Sequence, residues 1–217
     1  MYKKKERELK GKSLIEDLNN YTVVDIETTG MSWNFSKILE ISALKVRNKE
    51  ITEEFSELIN PHEPIPYFIK NLTGITDEMV CDALELDEVL LKFKDFLRED
   101  IIVGHNVNFD VNFLYDNFLN VLNNPMQNNF VDTLRISRKL LPELKHHKLD
   151  NLTQYYNIKA RDKHRALNDC VLTNKVYIDM CKTVYEKYDN WDSFKKEFRI
   201  WHKSYFRAEA EDIIWID

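Results

Sequence analysis

Alternating apolar and polar positions predict three strands in close succession near the start of the chain. The segments are YTVVDIE (21–27), KILEISALKV (37–46) and EITEEFSELIN (50–60). The short segment RNKE separates the second from the third, a length typical of a hairpin connection. Two further apolar runs, IIVGHN (101–106) and FVDTL (130–134), are short enough to be strands.

Helical periodicity dominates the rest of the chain. The stretch 67–98 predicts short helices, among them DEVLLKFKDFLRE, and VNFDVNFLYDNFLN follows the fourth strand. In that helix Val107, Val111, Leu114 and Phe118 recur at helical spacing and predict a buried stripe. The region after the fifth strand is helical to about residue 186. Three meandering strands followed by alternating strands and helices predict an α/β fold, with a mixed sheet flanked by helices.

Both ends of the chain differ from this central region, so we divide the sequence into 1–20, 21–186 and 187–217. Residues 1–20 form a basic, then mixed, N-terminal extension, in which SLIEDLNN (13–20) predicts a short helix. The C-terminal extension carries aromatic residues on one face of a predicted helix: Trp191, Phe194, Phe198, Trp201 and Tyr205. Such a stripe needs a cover. It folds back on the central domain, pairs with a second copy or docks on a partner, and we favour the fold-back.

Composition narrows the class of protein. The chain has 217 residues, a formal net charge of −6 and 43% hydrophobic residues, so it can bury a core but is not a basic phosphate binder. Bound metal ions can still attract a nucleic acid locally. Cys81, Cys170 and Cys181 are too scattered for a disulfide framework and are expected to be buried thiols. Without a signal peptide or an apolar span, we expect a soluble cytoplasmic protein that does not enter a membrane.

Four carboxylates and one histidine lie at strand ends or helix starts. Asp25 and Glu27 are two residues apart in a strand and therefore point to the same side. Asp110 lies on the buried stripe of its helix, where an ionised carboxylate is costly unless it is paired or bound to a metal. Asp169 borders the apolar line of the last helix, and His164 reaches the same site only from the loop before that helix.

Hard oxygen ligands of this kind favour Mg²⁺ or Mn²⁺ over zinc. The cluster suits two-metal phosphoryl chemistry, in which one ion lowers the pKa of a water and the other stabilises the leaving oxygen. A histidine of near-neutral pKa, here His164, is suited to accept the proton of that water. Two divalent ions are therefore the expected cofactors.

These segments, taken in order, resemble the DEDDh, or DnaQ-like, family of 3′–5′ exonucleases. The matching motifs are DIE (25–27), GHNVNFD ending at Asp110, and HRALND from His164 to Asp169, with the spacers LTGIT and VDTL between them. The likeness covers roughly residues 20–186. The branch that the chain resembles most is that of the proofreading epsilon subunit of bacterial DNA polymerase III and related polymerase-associated exonuclease domains.

The resemblance implies a ribonuclease H-like fold with a five-stranded mixed sheet. It also implies that Asp25, Glu27, Asp110 and Asp169 hold two Mg²⁺ or Mn²⁺ ions and that His164 is the general base. The residues implied to bind the 3′-terminal nucleotide are Thr28, Thr29, Ile75, Asn106 and Phe109. Trp33 and Phe35 depart from the family pattern, and they either stack on bases or pack beneath the N-terminal extension.

Other polar residues have simpler interpretations. We expect His105 to position a loop, Asp132 to cap a helix and Glu40 to be an internal hydrogen-bonding residue. We expect His146 and His147 to lie in a solvated loop, and the basic segment 3–12 to be a solvated terminus.

The function expected from the sequence is a metal-dependent 3′–5′ exonuclease acting on single-stranded or frayed DNA ends, in proofreading or repair. The partners are then a DNA 3′ end and, as an open question, a DNA polymerase subunit. The alternatives are the same reaction on RNA and an inactive nucleic-acid-binding scaffold. Because all five catalytic positions are filled, the sequence favours an enzyme over a scaffold.

Overall fold

A computed structural model describes residues 7–32, 35–159 and 165–199 of the chain. The described strands are β1 (Ser13–Leu14), β2 (Tyr21–Thr28), β3 (Ile38–Arg47), β4 (Glu50–Leu58), β5 (Ile102–Gly104) and β6 (Phe130–Asp132). They form one sheet in the order β1-β6-β5-β2-β3-β4. β2, β3 and β4 pair antiparallel, whereas β1, β6, β5 and β2 run parallel. The mixed α/β sheet is thus confirmed, with six strands among the described residues where five were expected.

Helices cover both faces of this sheet. Their bounds are α1 (Tyr67–Thr73), α2 (Asp77–Val80), α3 (Leu86–Leu97), α4 (Asn108–Leu122), α5 (Thr133–Leu140), α6 (Leu149–Tyr155) and α7 (Ala166–Tyr188). The region expected to be helical after β6 is interrupted by a non-helical segment at 141–148. Residues 191–199 are helical as well.

The alternation of side chains along β2 divides the core into two layers. Tyr21 and Val23 pack with α5, α6 and α7, whereas Val24 and Ile26 pack with α3 and α4 on the other face. β2 is the central strand, so its side chains are buried from both sides. α4 in one layer and α7 in the other each place their first turn beside the end of β2.

The N-terminal segment is a strand where a helix was predicted. Ser13 and Leu14 pair in parallel with Phe130 and Val131 of β6. A Cβ on Gly11 would lie 1.9 Å from the backbone oxygen of Asn128, so glycine is needed for the chain to approach this edge. β1 pairs with the backbone N–H and C=O groups of β6 that would otherwise be unpaired at the sheet edge. This tertiary pairing outweighs the weak local preference of SLIEDLNN for a helix.

The basic part of the same segment is docked, which corrects its assignment as a solvated terminus. The Arg7 guanidinium donates to both carboxylate oxygens of Asp116, at 3.0 and 2.6 Å. Lys10 donates to the side-chain oxygens of Asn108 and Asn112 on α4. Residues 7–14 therefore belong to the folded body, and the lysines at 3–5 lie outside the described residues.

The predicted fold-back of the C-terminal aromatic face is confirmed for its described members. Trp191, Phe194 and Phe198 are buried and pack in the same core cluster as Tyr21 and Val23. Phe194 contacts Tyr188, Trp191 and Phe198 edge-on, with ring centroids 5.0, 5.6 and 5.9 Å away. Trp201 and Tyr205 lie outside the described residues.

Two smaller expectations concern the cysteines and the membrane. Cys170 and Cys181 are buried free thiols, but Cys81 is exposed because it follows the short helix α2 on the surface. Within the described part of the chain, none of the helices combines the length and the apolar character needed to cross a bilayer.

Phe194→Ala should destabilise the whole domain. Phe194 has no exposed surface and three aromatic neighbours, so its truncation leaves a cavity that costs about 3–5 kcal/mol of unfolding free energy. Urea unfolding followed by far-UV circular dichroism measures this loss. Lys196→Ala, an exposed residue of the same helical segment, is the control. A Phe194 variant as stable as the control would mean that this helix is not part of the folding unit.

Candidate active site

The site is built on the end of β2. Asp25 and Glu27 are half-buried and lie on one side of the strand, as predicted, while Val24 and Ile26 pack into the opposite layer. Across the pairing with β3, Asp25 lies opposite Ser42 and Glu27 opposite Glu40. The strand thus presents two carboxylates to the layer that contains α7.

Asp110 reaches the site from the first turn of α4. β2 pairs with β5 only at Thr22 and Val23 and then continues beyond the end of β5. The backbone N–H of Ile26 therefore has no partner strand on that side, and it donates to Oδ1 of Asp110 at 3.1 Å. This bond fixes the Asp110 carboxylate beside the strand that carries Asp25 and Glu27.

Gly104 allows this close approach of α4 to β2. A Cβ at Gly104 would lie 2.4 Å from Cγ2 of Val107 and 3.0 Å from the backbone oxygen of Val24. Any side chain there would push the start of α4 away from the strand. Glycine is therefore needed at position 104 so that α4 packs close enough to bring Asp110 to the end of β2.

Asp169 completes the acidic cluster from the first turn of α7. One carboxylate oxygen from each of Asp25, Glu27 and Asp169 lies within 4.8 Å of the others. Asp110 is joined to this group through Ile26 and through its charge, which raises the pKa of Asp25. The structure therefore brings together the four predicted carboxylates, whereas His164 lies outside the described residues.

Burial and mutual repulsion hold the cluster's pKa values high. Desolvation, followed by the charges of Asp110, Glu27 and Asp169, raises the pKa of Asp25 well above its usual value. Desolvation and the charges of Asp169 and Glu40 raise the pKa of Glu27 to about 7. Burial also raises the pKa of Asp110, although its bond from Ile26 opposes that shift. The cluster thus has a strongly negative electrostatic potential, and it binds either protons or metal cations.

The donor set fits divalent cations with hard character. Carboxylate oxygens from Asp25, Glu27 and Asp169 converge at coordinating distance from one another, and Asp110 adds a fourth carboxylate beside them. Among the described residues no cysteine or histidine belongs to the converging group. Oxygen ligands of this kind match Mg²⁺ or Mn²⁺.

Thr28 and Thr29 follow the two strand carboxylates directly and are nearly buried. The Thr28 hydroxyl donates to the backbone oxygen of Gly30 at 2.7 Å. The Thr29 hydroxyl oxygen accepts the backbone N–H of Lys37 at 2.9 Å, so its own proton is left to donate elsewhere. Of these two predicted substrate-binding residues, Thr29 therefore has the better hydroxyl donor.

The remaining predicted substrate-binding residues differ in exposure. Asn106 is exposed in the turn before α4, in a left-handed conformation with φ 59°, and Phe109 is half-buried against Phe113. Ile75 has no exposed surface and packs with Leu39 and three other buried apolar residues, so in this conformation it presents no face to a base.

Of the two aromatic residues that depart from the family pattern, the structure describes only Phe35. Phe35 is 82% exposed, so it does not pack beneath the N-terminal segment. Trp33 lies outside the described residues.

The structural interpretations of the neighbouring polar residues are supported. The Asp132 carboxylate accepts the Leu134 N–H at 3.0 Å and caps α5, and it also accepts the N–H of Asn106. His105 lies 3.0 Å from the Thr133 hydroxyl, and burial lowers its pKa to about 4, far below that of a base working at neutral pH. His146 is exposed on the 141–148 segment, and His147 is half-buried there.

Glu40 is the internal hydrogen-bonding residue that was expected, but its strongest partner was not foreseen. Its carboxylate accepts from Ser56 and pairs with Arg165. Arg165 directly follows His164 in the sequence, and that position alone carries no indication of a partner on β3. The pair forms only in the folded protein, where the start of α7 lies against β3.

The known proteins that this chain resembles are exonucleases and DNA polymerases. The model of the exonuclease family RNase_T matches residues 22–177. DNA polymerase III PolC-type of Bacillus cereus is 39% identical over 171 residues, and the match covers 77% of this chain and 12% of the relative. The corresponding protein of Staphylococcus aureus is 37% identical over 187 residues, covering 81% of this chain and 13% of the relative. The chain thus spans about an eighth of the length of these curated relatives.

Solved structures share the fold. Exonuclease X in complex with 5′ overhanging duplex DNA superposes with a TM-score of 0.61 at 27% identity, covering 75% of this chain and 92% of that one. Escherichia coli exonuclease I in complex with a dA16 oligonucleotide gives a TM-score of 0.68 at 19% identity, covering 82% and 43%. The resemblance to the DnaQ-like exonucleases that the motifs indicated is thereby confirmed, together with the ribonuclease H-like fold.

Asp25→Asn should stabilise the metal-free protein, and more so as the pH rises. The folded cluster keeps protons that the unfolded chain has lost, so the cluster lowers the stability as the pH increases from the unfolded pKa values near 4 toward about 7 for Glu27. Removing one charge relieves this penalty. The melting temperature of Asp25→Asn in EDTA should exceed that of the wild type by a margin that grows between pH 5 and pH 8.

The exposed Asp82→Asn provides the control for a general charge effect. Adding Mn²⁺ should raise the melting temperature of the wild type and reverse the order of the two proteins, because the ion replaces the protons as the counter-charge. An Asp25→Asn protein that melts below the wild type in EDTA at pH 8 would contradict the repulsion described above.

Proposed function

The chain belongs to the exonuclease family RNase_T, and on that premise we propose that it is a metal-dependent 3′–5′ exonuclease acting on single-stranded or frayed DNA ends. The observation that carries the proposal is the convergence of Asp25, Glu27 and Asp169 within 4.8 Å, with Asp110 fixed beside them. The products are nucleoside 5′-monophosphates, released one at a time from the 3′ terminus.

In the proposed reaction a water attacks the phosphorus of the terminal phosphodiester, and the bond from phosphorus to the 3′ oxygen of the preceding nucleotide breaks. Asp25, Glu27, Asp110 and Asp169 are the residues that would hold two Mg²⁺ or Mn²⁺ ions. Bound ions of this type supply water activation and stabilise charge on the leaving oxygen. His164 accepts the proton of the attacking water.

The chain's own residues also position the terminal nucleotide. Thr28, Thr29, Asn106 and Phe109 lie on the two segments that carry the strand carboxylates and Asp110. We assign the hydrogen bond to the terminal nucleotide to Thr29, since its hydroxyl accepts from Lys37 and donates to none of the described residues. Ile75 belongs to the LTGI loop, and it contacts the terminal base only after that loop moves, because its side chain is fully buried.

We favour DNA as the substrate because the similar proteins are DNA polymerases and a DNA-bound exonuclease. The curated relatives are PolC-type DNA polymerases, and the neighbour that is 27% identical was solved with duplex DNA bearing a 5′ overhang. The chain spans only 12–13% of those polymerases, so a proofreading role and an association with a polymerase are proposals for this chain. We propose that it removes 3′-terminal nucleotides in proofreading or repair.

Loss of a metal-binding carboxylate should abolish cleavage while the fold is kept. Asp25→Asn and Asp169→Asn should each lower the rate by more than about 10³-fold. The reason is that the ions stabilise the charge that develops in the transition state, which lowers the activation free energy by several kcal/mol. The assay uses DNA and RNA strands of matched sequence, labelled at either end, with Mg²⁺, Mn²⁺ or EDTA. A 3′ label should appear at once as a mononucleotide, and a 5′ label as a ladder of shortening products.

Asp82→Asn should cleave at the wild-type rate and serves as the control for these substitutions. Wild-type cleavage in EDTA, or an Asp25 variant that keeps more than about a tenth of the rate, would refute the metal-dependent mechanism. Faster digestion of the RNA strand would move the substrate class from DNA to RNA.

His164→Ala should lower the rate by about 10²–10⁴-fold and remove the acidic limb of the activity–pH profile, because the general base is lost. The increase in melting temperature caused by Mn²⁺ should stay as in the wild type, since the four carboxylates are intact. His146→Ala, an exposed histidine, is the matched control. An unchanged pH profile in His164→Ala would assign the base to another group.

A further inference from the structure

An ion pair between a half-exposed arginine and a buried glutamate links the start of α7 to the strand beside the acidic cluster. Glu40 on β3 is 1% exposed and lies directly opposite Glu27 on β2. Nη2 of Arg165 lies 3.0 Å from Oε1 of Glu40, and Nε lies 3.4 Å from Oε2, so the guanidinium faces both carboxylate oxygens. The hydroxyl of Ser56 donates to the same carboxylate at 3.1 Å.

Arg165 is also the residue from which α7 begins. Its backbone is extended, with φ −131° and ψ 130°, and its side chain makes no capping bond. Its carbonyl oxygen accepts the N–H groups of Asn168 at 2.9 Å and Asp169 at 3.1 Å. The guanidinium therefore anchors to β3 the residue that starts the turn carrying Asp169.

We propose that the Arg165–Glu40 pair is a positioning device that sets the distance of Asp169 from Glu27 and so assembles the cation site. Arg165 is thus a positioning residue and not a catalytic one. The inference rests on the proposed function for its effect on catalysis, but its effect on cation binding is independent of that function. Stability alone is a weak reason for this pair, because removing the Glu40 carboxylate from water costs free energy that an ion pair commonly does no more than offset.

The charges around Glu27 are consistent with this role. The Glu40 carboxylate raises the pKa of Glu27 and the Arg165 guanidinium lowers it, so the pair stands in the field of the cluster. With Arg165 present, Glu40 adds little net negative charge to the site. Without Arg165, Glu40 becomes a further buried and unpaired carboxylate next to Glu27.

A stepwise set of variants separates positioning from stability. Arg165→Met leaves the Glu40 charge unpaired, so its melting temperature should fall. The double variant Arg165→Met with Glu40→Gln removes both charges and keeps an acceptor for Ser56, so its melting temperature should recover. If the pair positions Asp169, the double variant should still have a kcat about 10²-fold below wild type, with KM changed by less than about threefold.

Cation binding gives a second readout that does not need the reaction. The Mn²⁺ affinity of the double variant, from isothermal titration calorimetry or the Mn²⁺ dependence of the melting temperature, should be about 10-fold or more weaker than that of wild type. Arg165→Lys should recover part of both kcat and affinity, because lysine keeps the charge but loses the planar fork.

The matched control is Arg47→Met at the opposite end of β3. Arg47 pairs with both carboxylate oxygens of Asp100, at 3.0 and 2.8 Å, and its side chain is 36% exposed compared with 44% for Arg165. This variant removes a similar ion pair from the same strand, far from the cluster. Its kcat and Mn²⁺ affinity should equal those of wild type.

The outcomes distinguish the inference from its rivals. If kcat and Mn²⁺ affinity recover together with stability in the double variant, the pair is only structural and the inference is overturned. If KM rises while kcat is unchanged, Arg165 contacts a substrate phosphate instead. If the wild type shows no metal-dependent cleavage, the proposed function fails, whereas the inference is then decided by the Mn²⁺ affinities alone.

Discussion

Repulsion among the carboxylates at the end of β2 is the constraint on which the rest of the structure depends. Asp25, Glu27 and Asp169 have oxygens within 4.8 Å of one another, and the charges of Asp110 and Asp169 raise the pKa of Asp25 further. Such a cluster persists only if the surrounding fold is stable enough to hold it. Two core layers, one on each face of the central strand, provide that stability.

Each carboxylate is held by a separate backbone feature, and together these features form one site. β2 continues past the end of β5 and offers the Ile26 N–H to Asp110, while Gly104 lets α4 start close to the strand. The carbonyl of Arg165 accepts the N–H of Asp169 at the start of α7. The site therefore depends on where three elements begin or end, which explains why its residues are dispersed over most of the chain.

The sequence predicted the parts of this arrangement that local pattern determines. The period-two spacing of Asp25 and Glu27 placed them on one side of the strand. The position of Asp110 on the buried stripe of α4 indicated a carboxylate whose burial costs free energy unless it is paired or binds a metal. What local pattern could not supply were the tertiary pairings. Ser13 and Leu14 form a strand because β6 offers an open edge, and Ile75 is buried by the packing of its loop on β3. Neither partner is near in sequence.

The Arg165–Glu40 pair has the same origin, and it bears on how such a site assembles. Glu40 is separated from Arg165 by 125 residues, so the two meet only when α7 docks on the sheet. Before docking, Asp169 and the strand carboxylates repel one another, and attraction between Arg165 and Glu40 opposes that repulsion. The arginine beside the third acidic motif thus offsets the charge of Glu40 close to the point where the carboxylates converge. The pair carries almost no net charge, so the negative charge of the four carboxylates is left for bound cations to balance.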